Sequence, residues 1–126
     1  MHIYYFEKLQ VWQNAKSLAI KIYELTEEFP KSEKYSLTDQ LRRAALSISA
    51  NIAEGSTRQH TKEYNRFLNI AFGSTVEVLN HLLIAKDLNY ISENNLNNLR
   101  EDIELITNQL RSLNNAIASN KTTNQR

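Results

Sequence analysis

Three observations predict an all-α fold, an antiparallel up-down-up-down four-helix bundle. Only two Gly and one Pro occur in 126 residues, which is scarce punctuation for a β protein needing a turn every ~8–12 residues. Apolar residues recur at helical spacing through four long segments, and the connectors between them are short, which favours antiparallel neighbours. The length suits one domain. The expected organisation is a single bundle over residues 1–118 followed by a disordered polar tail, SNKTTNQR, over 119–126. No internal repeat is visible.

The first helix is expected from Glu7 to Glu28, with Leu9, Trp12, Ala15, Ala19, Ile22 and Tyr23 on one side. Pro30 stops it, because proline restricts the residue before it and lacks an N–H to donate. The second helix starts after Ser36 or Thr38 as N-cap, with Asp39 near the free amides of the first turn. Its core face is Leu41, Ala44, Ala45, Ile48 and Ile52, where the two alanines permit close approach of a neighbour. Gly55 is expected to end it in the left-handed conformation.

The third segment, Thr61 to Asn89, carries two apolar rows. One is Tyr64, Leu68, Ala71, Thr75, Val78, Leu82 and Ala85. The other, about 100° around the helix, is Phe72, Val76, Leu79 and Leu83. A lone bundle needs only the first, so the second predicts an interface between copies of the chain. Gly73-Ser74 predicts a bend, since Gly/Ser pairs cause kinks. In the fourth helix, capped by Ser92, Leu96, Leu99, Ile103, Ile106, Leu110, Leu113 and Ile117 alternate steps of three and four. Its many asparagines, such as Asn94, Asn95, Asn97 and Asn98, are weak helix formers, so the packing of that seam must hold it.

Composition narrows the chemistry. Hydrophobic residues make up 41% and charged residues 23%, ordinary globular values. With no Cys there is no disulfide, thiolate nucleophile or thiolate metal site. The N-terminus MHIYYFEKLQ does not read as a secretory signal and no run approaches 18 apolar residues, so a cytoplasmic protein with no membrane partner is expected. A formal net charge of +1 is too weak to argue for nucleic acid by itself.

Metal and cofactor sites are not expected: His2, His60 and His81 lie in different regions, and the Glu-x-x-His pattern of di-metal bundles is absent. Neither a phosphate-binding glycine loop nor a nucleophile elbow occurs. Glu54 with Glu77 or His60 is the best acid–base pairing available, but nothing in the spacing gathers them into a cleft, and no catalytic residue is assigned.

One polar line does stand out on the second helix. Gln40, Arg43, Ser47, Asn51 and Glu54 follow each other about 100° from the core face. Either it is a solvated surface, or Arg43, Ser47, Asn51 and Glu54 join Ser74 and Glu77 of the third helix in a partly buried network that fixes register. Basic residues cluster modestly. Between Lys31 and Arg58, Lys31, Lys34, Arg42, Arg43 and Arg58 face Glu33, Asp39 and Glu54, an excess of two positive charges. Arg58, Lys62 and Arg66 then recur at four-residue spacing as a basic edge for phosphates, which a symmetric ring of copies would multiply. The aromatics Tyr4, Tyr5 and Phe6 can stack on bases or cover the bundle or a neighbour, with covering favoured.

Particular words in this pattern carry a resemblance. Val11-Trp12-Gln13, Phe29-Pro30, Glu33 before Tyr35, Gln40 with Arg42-Arg43-Ala44, Ser47-Ile48, Asn51-Ile52-Ala53-Glu54-Gly55, and Ala71 with Gly73-Ser74 and Glu77 resemble the 23S rRNA intervening-sequence protein family. The likeness spans about Phe6 to Leu113. It implies a left-handed antiparallel bundle, assembly as a homopentamer and no established enzymatic activity. A related bundle, the accessory variability protein of diversity-generating retroelements, suggests by analogy an association with RNA or DNA, although fold likeness alone does not carry function. The expected function is thus a non-enzymatic homo-oligomeric accessory or adaptor that contacts RNA or DNA through Arg42, Arg43, Arg58, Lys62 and Arg66. The alternative is a scaffold for a polymerase-like or other polypeptide partner.

Overall fold

The computed structural model describes residues 1–123, with side chains described through Ser119. Four helices form: α1 (Gln10–Thr26), α2 (Leu37–Gly55), α3 (Thr61–Asp87) and α4 (Glu93–Thr123), with 3-10 turns at Tyr5–Lys8 and Lys31–Glu33. No strand occurs among the described residues. Each helix packs on its neighbours in the chain and α1 closes the ring against α4, as an antiparallel bundle requires. The fourth helix continues past residue 118 to Thr123, into the segment expected as a tail, and 124–126 lie outside the described residues.

The first helix starts later than the spacing suggests and turns a slightly different face inward. A 3-10 turn and an extended Leu9 (φ −76°, ψ 125°) precede it. Its buried residues are Val11, Ala15, Leu18, Ala19, Ile22 and Thr26, while Tyr23 lies at the edge of the core with the Arg42 guanidinium 4.5 Å from its ring centroid. Tyr23 stays at the edge because it keeps both a polar tip in water and a ring against a cation.

All five expected core residues of α2, Leu41, Ala44, Ala45, Ile48 and Ile52, are buried. Ser36 precedes the helix but its hydroxyl caps no amide. The Glu33 carboxylate takes that place: one oxygen accepts from Ser36 Oγ at 2.6 Å and from the Leu37 N–H at 3.3 Å, and the other from Tyr90 Oη at 2.8 Å. These three donors hold the exposed carboxyl below its ordinary pKa. Tyr90 also packs on Phe29, centroids 5.4 Å apart, so the α1–α2 and α3–α4 connectors are tied together.

Gly55 corrects the sequence reading. No glycine has a positive φ, and Gly55 is the last helical residue of α2. Its need is space: a Cβ there would lie 2.7 Å from Phe67 Cβ and 3.2 Å from Tyr64 Cδ1 on α3. The left-handed helix end belongs to Asn89, φ 64°. There the Tyr90 N–H reaches the Ala85 carbonyl at 2.9 Å and the Asn89 N–H that of Lys86 at 3.0 Å, the paired bonds of a Schellman ending.

The α3 helix runs unbroken through Gly73-Ser74. Its inner row, Leu68, Ala71, Thr75, Val78, Leu82 and Ala85, is buried, and Tyr64 is half-buried against the same core. Thr75 Oγ1 satisfies itself on the Ala71 carbonyl at 2.8 Å. By length and composition α3 alone among the described helices could cross a membrane, with a mean hydropathy of 1.4. That apolarity follows from its central packing, which the inner row occupies. On α4, Ser92 Oγ accepts the Asn95 N–H at 3.0 Å, and Leu96, Leu99, Ile103, Ile106 and Leu110 are buried.

Candidate nucleic-acid interface

Antiparallel packing brings four chain ends together: the start of α1, the end of α2, the start of α3 and the end of α4. Phe67, buried beside Gly55, organises this end. The Arg58 and Arg66 guanidinium carbons each lie 4.8 Å from its ring centroid, so two cations share one aromatic platform. Arg66 is also held by Glu63 at 2.8 Å, which raises the arginine pKa and lowers that of the carboxyl. Arg58 meets Glu54 more loosely at 3.8 Å. Lys62 is exposed and makes no ion pair with the described residues. An open recess of about 440 Å³ is lined by Lys62, Asn65, Arg66, Asn69 and Ala118, with Asn69 Oδ1 accepting from Asn114 Nδ2 at 2.7 Å.

The remaining basic candidates lie elsewhere. Arg42 is a fastener between α2 and α1: its Nε donates to Thr26 Oγ1 at 2.8 Å and its Nη2 pairs with Glu27 at 3.1 Å. Arg43 pairs with Asp39 one turn back on its own helix at 2.9 Å. The five arginines and lysines therefore separate into a group of three at one end and two singletons along α2.

The polar line divides in the same way. Ser47 Oγ and Ser74 Oγ share a hydrogen bond of 2.8 Å across the α2–α3 seam, and Asn51 Nδ2 donates to both Ser47 O at 2.8 Å and Ser47 Oγ at 3.0 Å. The charged members do not join. Arg43 turns to Asp39, Glu54 to Arg58, and Glu77 to His81 at 3.2 Å. Each finds a partner on its own side of the seam and stays near water, which avoids the desolvation a shared buried network would impose. Glu54, Glu77 and His60 form no acid–base constellation, and no cluster of three metal-binding side chains occurs among the described residues.

The outer row of α3 is likewise mixed. Phe72 and Leu79 are half-buried on their own core, with Arg111 of α4 5.2 Å from the Phe72 ring centroid. Val76 and Leu83 remain 49% and 39% exposed.

Sequence spacing places Tyr64 in the inner apolar row of α3 but does not single out Phe67. The Tyr64 hydroxyl is buried without a partner, and burial, followed by the nearby Tyr5, pushes its pKa up to about 12. The available signal was the run of Tyr, Phe and Arg just after a glycine that had to be small.

The fold defines an all-α four-helix bundle protein, with Arg58, Lys62 and Arg66 at one end and two of them paired with carboxylates. The chain belongs to the 23S rRNA-intervening sequence protein family, whose profile matches residues 7–112. A solved structure from Bacteroides thetaiotaomicron, described as a protein with unknown function from the S23 ribosomal protein family, is similar with a TM-score of 0.74 and 23% identity. The match covers 82% of this chain and 97% of that one, and at this identity it speaks for the fold. None of the curated proteins matches significantly.

Proposed function

We propose that the protein is a non-enzymatic, homo-oligomeric accessory or adaptor bundle that contacts RNA or DNA through the end carrying Arg58, Lys62 and Arg66. The observation that supports this reading is the meeting of Arg58 and Arg66 over Phe67, with Arg66 and Lys62 lining an open recess beside it, in a chain whose total charge is only +1. One such edge is small. Repetition around a ring of copies, a pentamer by family likeness, makes it large enough to bind a polyanion.

Fluorescence anisotropy with a labelled RNA tests the contact. Affinity should fall steeply as salt rises, and changing Arg58, Lys62 and Arg66 together to Ala should weaken binding and flatten the salt slope. Absence of binding at low salt contradicts the nucleic-acid part. A second reading, a scaffold for a polypeptide partner, is favoured by Ile70 and Ile84 on one side of α3 and Leu88 just past its end, all exposed. A defined protein that stays bound to the tagged chain after nuclease treatment would select it.

A further inference from the structure

The aromatic N-terminal arm shares the cationic end. The arm forms a continuous ladder: His2 and Tyr4 have centroids 4.6 Å apart, Tyr4 and Phe6 6.3 Å, and Phe6 and Trp12 5.0 Å. Lys16 Nζ extends it, 4.9 Å from the Trp12 ring centroid. The Tyr4 N–H donates to the Glu7 carboxylate at 2.8 Å, and Gln13 Nε2 to the Glu7 carbonyl at 3.0 Å, so the arm is fixed to the start of α1.

Phe6 and Trp12 are half-buried and serve as its base. Tyr4 and Tyr5 are 57% and 59% exposed in the single chain. The 3-10 turn beginning at Tyr5 packs on α1 and α2. Tyr64, near Tyr5, touches the same Gly55 that meets Phe67, the ring beneath Arg58 and Arg66. Exposed phenol rings and the Arg58, Lys62 and Arg66 side chains thus occupy one end of the molecule.

We infer that this end binds single-stranded nucleic acid, with Tyr4 and Tyr5 stacking on unpaired bases while Arg58, Lys62 and Arg66 hold the phosphates. The inference rests on the nucleic-acid reading above and narrows it to strands with accessible base faces. A duplex hides those faces inside its own stack. A cationic edge alone would take duplex and single strand by charge density, whereas a pair of exposed rings adds affinity only for unstacked bases. Stacking also tolerates any base, so no sequence preference is required of the arm.

The test compares labelled oligouridylate and oligothymidylate of about twelve nucleotides with a duplex of equal length, a size within the usual single-strand footprint. The single strands should bind more tightly than the duplex. Tyr4→Ala with Tyr5→Ala should weaken single-strand binding by about thirtyfold or more without changing its salt slope or duplex binding. Tyr4→Phe with Tyr5→Phe should retain affinity, because the ring rather than the hydroxyl does the stacking. Circular dichroism of these surface variants should match the parent. Equal binding of duplex and single strand, unchanged by both tyrosine pairs but lost with the three cations, overturns the stacking inference and leaves the basic edge standing. No binding of any probe at low salt overturns both.

Discussion

The α2–α3 and α1–α4 seams hold the same ring of helices together by different means. Small residues let α2 and α3 approach closely: Ser47 meets Ser74 through a 2.8 Å hydrogen bond, and Gly55 lies under Phe67. Across α1 and α4 the contact is sparser and polar. Asn14 Nδ2 donates to Gln109 Oε1 at 2.9 Å and Lys21 Nζ meets Asp102 at 2.8 Å, with open clefts of about 430 and 290 Å³ along the seam. Where side chains shrink, backbones are fixed by steric fit; where amides and ions bridge, the helices are held at a distance that water can enter.

The contrast can be broken most forcefully at Gly55. Gly55→Ala puts a methyl group 2.7 Å from the Phe67 Cβ, so one helix must shift. Overpacking of this kind costs ~2 kcal/mol, more than the helix propensity that alanine gains at a helix end. Chemical denaturation should show a lowered midpoint. Gly73 supplies the control, because nothing lies within 4 Å of a Cβ there. Gly73→Ala should stabilise the protein by ~1 kcal/mol in the same measurement. Equal effects at the two glycines would contradict the close-approach explanation.

Smaller losses are expected at the open seam. Asn14→Ala removes a part-buried amide bond and should cost ~1 kcal/mol. Lys21→Ala should cost under ~0.5 kcal/mol, because the pair is substantially exposed and screened by solvent. Urea titrations would check both, and a loss at Lys21 as large as that at Gly55 would mean that the seams do not differ as described.

Much of this architecture was legible in the residues. The α2 core and the inner α3 row follow from a 3.6-residue period, and burial agrees position by position from Leu41 to Ile52 and from Leu68 to Ala85. Periodicity gives a face but not the width of the gap beside it. Gly55 therefore reads from the sequence as a left-handed helix stop; it does end α2, but its reason is the neighbouring helix. It also cannot choose between Leu18 and Tyr23 at the margin of the α1 face, where packing puts leucine in and leaves tyrosine at the edge.

At the candidate site, the spacing of Arg58, Lys62 and Arg66 is visible in the sequence, while Phe67, the ring that Arg58 and Arg66 share, is not, because it depends on where the α2–α3 connector returns. Arg42 and Arg43 were grouped with them by sequence proximity, and only the fold separates them. Ser47, Asn51 and Ser74 meet because their side chains are short; the charged Arg43, Glu54 and Glu77 reach partners on their own side before they reach across.

In the proposed assembly, the outer α3 row sets how many copies of the basic edge come together. Phe72 and Leu79 are partly used by the chain's own core, but Val76 and Leu83 present aliphatic surface that one bundle leaves in water. Sedimentation equilibrium at micromolar concentration measures the consequence directly. A discrete oligomer that dissociates when Val76 and Leu83 are both changed to Glu is the predicted result, whereas a parent protein that sediments as a monomer would contradict the assembly and the amplified basic edge that depends on it.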